Sequence, residues 1–100
     1  MLTQKEIMKR IEKNGGKIKS FGVTRLALFG SYAAGTATAD SDIDFLVEFE
    51  KGRGLFDDYT HLQRFLEGLL RKEIDLVKPK LVRRELRPYI LERKKVEANI

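Results

Sequence analysis

The sequence predicts a mixed α/β domain, a small three-stranded sheet flanked by helices in the order α-β-α-β-α-β-α, and three observations carry that expectation. Val23 to Phe29 contains Leu26-Ala27-Leu28-Phe29, apolar at successive positions as a strand covered on both faces requires. Ile43 to Phe49 alternates: Ile43, Phe45, Val47 and Phe49 share one face, while Asp42, Asp44, Leu46 and Glu48 share the other. Leu55, Tyr59, Leu62, Leu66 and Leu69 then recur at helical spacing before a third strand-like run, Glu73-Ile74-Asp75-Leu76-Val77.

The remaining elements follow in order. Thr3-Gln4-Lys5-Glu6 has the pattern of a capping box and opens a helix whose apolar stripe is Ile7, Met8 and Ile11. Asn14-Gly15-Gly16 ends or kinks it, and a second short helical piece carries Ile18 and Phe21 before Gly22. Gly30 ends the first strand; Ser31 to Gly35 forms one helical turn with Ser31 at its N-terminus, and Thr36 to Ser41 is a small polar loop. Lys51-Gly52-Arg53-Gly54 is a turn, after which Asp57 and Asp58 favour the start of the long helix. Gly68 inside that helix marks a close backbone approach. Pro79 ends the third strand, and Leu81 to Arg93 has a further helical pattern interrupted by Pro88.

Topology can be read one step further. If Ser31 and Asp42 serve one site, the end of the first strand lies beside the start of the second, so the two run antiparallel. The long helix between the second and third strands is a crossover, which makes that pair parallel. Asp75 then comes alongside Asp42 and Asp44, and three carboxylates converge at one sheet edge. Like charges so close repel unless a cation compensates them, and hard oxygen donors suit Mg²⁺.

The chain of 100 residues is read as one domain, residues 1–100, with 42% apolar and 35% charged residues. No apolar run approaches the length of a membrane span, and the N-terminus lacks a signal-peptide pattern. The chain contains no cysteine, which excludes disulfides and thiolate metal sites and fits a cytoplasmic protein. A net charge of +5 would suit an anionic partner, but the basic residues are scattered rather than gathered into a stripe with interleaved aromatics. No nucleic-acid partner is therefore expected.

Gly30-Ser31-Tyr32-Ala33-Ala34-Gly35, followed by Asp42-Ile43-Asp44 and then Asp75, resembles the signature of the DNA polymerase beta-like nucleotidyltransferases, and in particular their minimal members. The resemblance covers about residues 22–90. It implies that Gly30 and Ser31 hold the nucleotide triphosphate and that Asp42, Asp44 and Asp75 bind two Mg²⁺ ions. It assigns Asp75 the further role of helping to activate the acceptor hydroxyl. Minimal members often carry Arg where this chain has Ala34, which removes a charged phosphate contact; Lys51, Arg53, Lys78 and Lys80 are candidates to replace it. The resemblance further implies transfer of AMP from ATP to a tyrosine of a HEPN-type toxin, the chain serving as antitoxin in a hetero-oligomer. Two alternatives stand beside it: a binding module that neutralises the toxin by contact alone, and a nucleic-acid-directed transferase. His61, alone in a helix, is read as a packing or surface group. Glu48 is placed at the rim of the site, with Asp40 and Ser41 behind it.

Overall fold

Thr3 closes the first turn of helix α1 (Gln4–Lys13), accepting a hydrogen bond from the Glu6 backbone N–H at 3.1 Å while its hydroxyl meets the Glu6 carboxylate. The N-cap half of the expected capping box is thus formed, while the Glu6 carboxylate takes the Thr3 hydroxyl rather than its backbone N–H; the computed structural model describes residues 2–79, 84–85 and 94–100. Helix α1 buries Ile7, Met8 and Ile11. It stops at Asn14, and α2 (Gly15–Ser20) begins at once, so the Asn14-Gly15-Gly16 segment is a kink between two helices. Strand β1 (Val23–Phe29), the short helix α3 (Gly30–Ala34), strand β2 (Ile43–Phe49), helix α4 (Phe56–Leu70) and strand β3 (Ile74–Val77) follow. The expected Leu81–Arg93 helix lies outside the described residues, the short stretch 84–85 apart.

The sheet is mixed, with β1 antiparallel to β2 and β2 parallel to β3, as the crossover argument requires. It has one strand more than expected. Val96–Glu97 forms β4, antiparallel to β1, and the order across the sheet is β3-β2-β1-β4. Two residues give no periodic signal, so β4 is legible only from its pairing.

One face of the sheet carries the main core. Leu26, Leu28, Ile43, Phe45, Val47, Ile74 and Leu76 pack against Ile7 and Ile11 of α1, Ile18 of α2, and Leu62, Leu66 and Leu70 of α4. Phe45 is fully buried, and burial of such a side chain contributes about 1.5–3 kcal/mol relative to exposure. On the opposite face Ala27, Phe29 and Leu46 form a second, smaller cluster with Val77 against it. Both faces of β1 and β2 are therefore covered, which is why Leu26 to Phe29 reads as unbroken apolar sequence.

Helix α4 departs from the expected stripe at both ends. Leu55 precedes the helix and is 73% exposed, as is Phe56 at 81%, while Leu70 takes the last buried position. Asp58 holds the N-terminus by accepting from Gly54 N–H at 2.9 Å and from Arg53. The Arg53 guanidinium and then that N–H push the Asp58 carboxyl down to about 2. Gly68, expected to mark a close approach, faces open space: a Cβ there would meet nothing within 4 Å. No helix among the described residues is long and apolar enough to cross a membrane.

Residues 94–100 run back across the molecule. Ala98 N–H donates to Leu26 O at 2.9 Å, Asn99 N–H to the Glu12 carboxylate at 2.9 Å, and Ile100 packs on Gly15, where an added Cβ would come within 3.3 Å of it. Arg25 joins this segment to the sheet, its guanidinium bridging Glu48 at 3.0 Å and Glu97. Glu48, expected at the rim of the site, is instead part of this ion bridge at the far end of β2.

Two predictions follow from this packing. Gly68→Ala removes backbone freedom from the unfolded chain without a clash and is expected to stabilise the fold by about 0.5–1 kcal/mol. Thermal unfolding would then shift upward by a few degrees, about 4–8 °C per kcal/mol at this size; an unchanged or lower midpoint would contradict it. The second concerns pH. The hydrogen bond from Arg25 holds the Glu97 carboxyl below its ordinary value. A lowered folded-state value gives stability that is present above the unfolded value and lost as pH falls through the folded one. Acidification below the ordinary glutamate range should therefore release β4 before the β1–β2 core. Amide exchange at Ala98, corrected for intrinsic rate, should accelerate at acid pH relative to Val47.

Candidate active site

The antiparallel and parallel pairings bring the C-terminal end of β1 and the N-terminal ends of β2 and β3 to one edge of the sheet. In register, Phe29 lies opposite Asp44 and Asp44 opposite Asp75. Paired residues on neighbouring strands project to the same face, about 4.8 Å apart. Phe29, Asp44 and Asp75 thus form a row, backed by the apolar row Ala27, Leu46 and Val77. Asp44 is half-buried at this boundary, whereas Asp75 is exposed. Behind Asp75, burial and then the Asp75 charge push the Tyr59 phenol above its ordinary value. The Tyr59 hydroxyl accordingly stays protonated and donates to Leu76 O at 2.7 Å, anchoring β3 to α4.

Gly30 makes the next contact. Its φ of +74° lies in the left-handed region, and a Cβ built on it would collide with the Asp44 carboxylate. Only glycine gives both the backbone conformation and the room. The turn into α3 therefore rests directly on Asp44. Ser31 was expected to cap α3; it is instead the second residue of the helix, and Phe29 occupies the cap position without a side-chain bond. Among the described residues no hydrogen bond to the Ser31 hydroxyl is found. The first N–H groups of a helix lack intrahelical acceptors, so α3 offers those donors at the same end as the carboxylates. Gly35, in the left-handed conformation, ends the helix by donating to Ser31 O.

Asp42 stands just outside the ladder, exposed, at the end of the 36–42 loop. The loop is shaped by Thr38 N–H donating to Ser41 Oγ at 2.9 Å and is tied to the α4–β3 connection by Lys72, whose Nζ donates to Ala39 O at 2.7 Å. Convergence of the three acids is thus partial: Asp44 and Asp75 are register partners and Asp42 is their neighbour along the chain. Among the described residues no group of three His, Asp or Glu side chains is gathered as a ready ion site. The donor set nevertheless fits Mg²⁺, since adjacent carboxylates offer the hard oxygens that this ion prefers. Lys72 was missed by sequence reasoning, because nothing in its spacing separates it from other surface lysines. His61 is exposed, with its ring 6.3 Å from that of Phe21, which agrees with a packing role.

The cations proposed to replace an arginine at Ala34 lie elsewhere. Lys51, Arg53 and Lys78 line a cavity of about 570 Å³ with Thr24, Phe49 and Pro79, at the opposite end of β2. Arg53 is held by Asp58 at 2.8 Å. Lys78 donates to Gly54 O and sits 5.4 Å and 5.2 Å from the ring centres of Phe49 and Tyr59. Lys80 lies outside the described residues.

Residues 4–98 match the family model of the nucleotidyltransferase domain. The protein adenylyltransferase MntA of Thermococcus cleftensis is 40% identical over 78 residues, 77% of this chain and 78% of that protein. MJ1379 of Methanocaldococcus jannaschii, an inferred protein adenylyltransferase, is 38% identical over 100 residues, 96% of this chain and 90% of its own length. Among solved structures, an inferred minimal nucleotidyltransferase superposes with a TM-score of 0.79 at 36% identity, covering 92% of this chain and 93% of that one. A toxin–antitoxin structure with AMP-PNP shares the fold at a TM-score of 0.61 and 24% identity, covering 97% and 73%.

Gly30→Ala tests the contact between turn and carboxylate. The added methyl would strain the left-handed backbone and press on Asp44. A destabilisation of about 1–3 kcal/mol is expected, the ordinary cost of such strain. Chemical denaturation measures it, and a variant as stable as the parent would show that Gly30 and Asp44 are not in contact.

Proposed function

The chain belongs to the nucleotidyltransferase domain family, and on that premise we propose that it is a Mg²⁺-dependent protein adenylyltransferase, transferring AMP from ATP to a tyrosine of a HEPN-type toxin and acting as its antitoxin in the cytoplasm. The carrying observation is the register that sets Asp44 between Phe29, which leads into Gly30-Ser31, and Asp75. Phosphate donors and carboxylates thereby meet at one edge. Support for protein adenylyl transfer comes from the names of the relatives. Support for a toxin partner comes from the resemblance to minimal nucleotidyltransferases and from the toxin–antitoxin assembly in which a protein of the same fold is found.

Each residue has a task in this reading. The Ser31 hydroxyl and the first N–H groups of α3 bind and orient the triphosphate, their donors pointing where negative charge lies. Asp42, Asp44 and Asp75 would hold Mg²⁺. When bound, the metal pair lowers the pKa of the attacking hydroxyl and stabilises both oxygens of an in-line displacement at the α-phosphate, with pyrophosphate leaving. Asp75, exposed on the outer strand of the row, is open to the acceptor and holds its hydroxyl in position. Phe29, Ala27 and Leu46 keep water from the inner side of Asp44. Lys72 fixes the loop that presents Asp42.

Ala34 favours a second reading, neutralisation of the toxin by contact alone, because the turn carries no guanidinium for the phosphates. Incubation with α-labelled ATP and the candidate toxin separates the two. Asp44→Asn and Asp75→Asn should each lower transfer by about 100-fold or more, equivalent to roughly 3 kcal/mol of lost transition-state stabilisation. Label transfer that survives both substitutions would end the catalytic reading. Protection of cells by the unlabelling variants would favour contact.

A further inference from the structure

Asp75 sits on the least supported strand of the row. Strand β3 has four residues, lies at the edge of the sheet and, among the described residues, has β2 as its one strand neighbour. Ile43 N–H donates to Glu73 O at 3.1 Å, and in a parallel pair alternate residues turn their backbone groups toward the neighbour. Glu73, Asp75 and Val77 therefore face β2. The carbonyls of Ile74 and Leu76, on either side of Asp75, point away from it.

Helix α4 takes both of those outward carbonyls. Gln63 donates from its side-chain amide to Ile74 O at 3.1 Å, and Tyr59 from its hydroxyl to Leu76 O at 2.7 Å. The two spacings match. Residues four apart on a helix share a face and are separated by about 6 Å along the axis. Residues two apart on a parallel strand are separated by about 6.6 Å. As the crossover between β2 and β3, α4 runs back against β3, so the earlier residue, Tyr59, meets the later carbonyl. Burial of Ile74 and Leu76 chooses the face of β3, but it is non-directional and tolerates a slide along the strand. Two hydrogen bonds with preferred length and angle do not.

We propose that Tyr59 and Gln63 are positioning residues for Asp75, clamping the carbonyls that flank it so that it stays in register with Asp44. This assignment rests on the catalytic reading given above. Helix α4 contributes no side chain to the row of Phe29, Asp44 and Asp75, yet it sets the place of one member. Asp42 is held separately, by Lys72 through the 36–42 loop.

Tyr59→Phe keeps the ring beside the Lys78 ammonium, which lies 5.2 Å from its centre, and removes only the donor. Gln63→Met removes the other donor at similar volume. The double variant, checked for folding by circular dichroism and thermal midpoint, is compared with the parent in two measurements. Amide exchange without nucleotide, corrected for intrinsic rate, should accelerate at Asp75 by about tenfold or more relative to Val47, as expected when a short edge strand loses two anchors. With α-labelled ATP and the candidate toxin, the maximal transfer rate should fall by about tenfold or more, since small misplacements of reacting groups have such effects. The KM for ATP should stay within about twofold, because the Gly30-Ser31 turn is untouched. In an Asp75→Asn background the same two substitutions should change transfer by less than about twofold, since they act through a carboxylate already removed. Tyr59→Phe alone should give a smaller loss in the same pattern, and it carries the test if the double variant does not fold. Transfer at the parent rate, unchanged exchange at Asp75, or an equally large loss in the Asp75→Asn background would each overturn the assignment. If the parent labels nothing, the catalytic reading fails by itself. Exchange at Asp75 then decides for the clamp, acceleration supporting it and an unchanged rate overturning it.

Discussion

The structure depends on the register of β2. Ile43, Phe45 and Val47 are buried in the main core, and their alternation leaves Asp44 and Leu46 no choice but the opposite face. A slip of one residue would drive Asp44 into the core and expose Phe45, exchanging every inward side chain for an outward one. Burying a carboxylate without a partner costs several kcal/mol, and exposing a phenylalanine forfeits about 1.5–3 kcal/mol. Hydrophobic burial on one face thus sets the position of the Asp44 carboxylate on the other. Phe29 and Asp75 inherit their places from the same strand, one through each of its two ladders.

That outer face is divided into three zones along the strands. Carboxylates occupy one end, Ala27, Leu46 and Val77 the middle, and the Arg25 bridge to Glu48 and Glu97 the other end. The arginine is charge-balanced locally, so it does not neutralise the acidic edge across the sheet. The apolar middle zone separates the two. Charge at the opposite end has structural work: Arg53 with Asp58 starts α4, and Lys78 closes the turn through Gly54. The scatter of basic residues over the sequence hides this division.

Much of the fold was legible because its elements bury one face or two. Val23–Phe29 and Ile43–Phe49 have the expected limits; the antiparallel pair follows from setting Ser31 and Asp42 at one site, and the parallel pair from the crossover helix. Errors occur where spacing and burial part company. Leu55 has helical spacing relative to Tyr59 but lies before the first turn, so it remains in solvent. Gly68 looked like a contact point because glycine is costly in a helix, yet it faces open space. In the site, Asp44 and Asp75 could be brought together from topology alone. The closeness of Gly30 to Asp44 could not, since it depends on the φ of one residue. Lys72 and strand β4 were illegible for a different reason. Each is placed by a tertiary tie, the Ala39 carbonyl or the β1–β4 pairing, that leaves no periodic mark.

The closing of residues 94–100 over β1 has a kinetic side. Thr24 reaches Glu48 across 24 residues, but Arg25 reaches Glu97 across 72. Closing a longer loop costs more chain entropy and contacts distant in sequence form more slowly. The β1–β2 hairpin and its carboxylate can therefore assemble early, whereas β4 docks late, on a sheet already built. A nascent molecule would then pass through an interval in which the acidic edge exists but the terminal strand has not arrived. Among the described residues, the tie from Asn99 to Glu12 spans 87 positions and would close with it, so the two ends of the chain would be joined last.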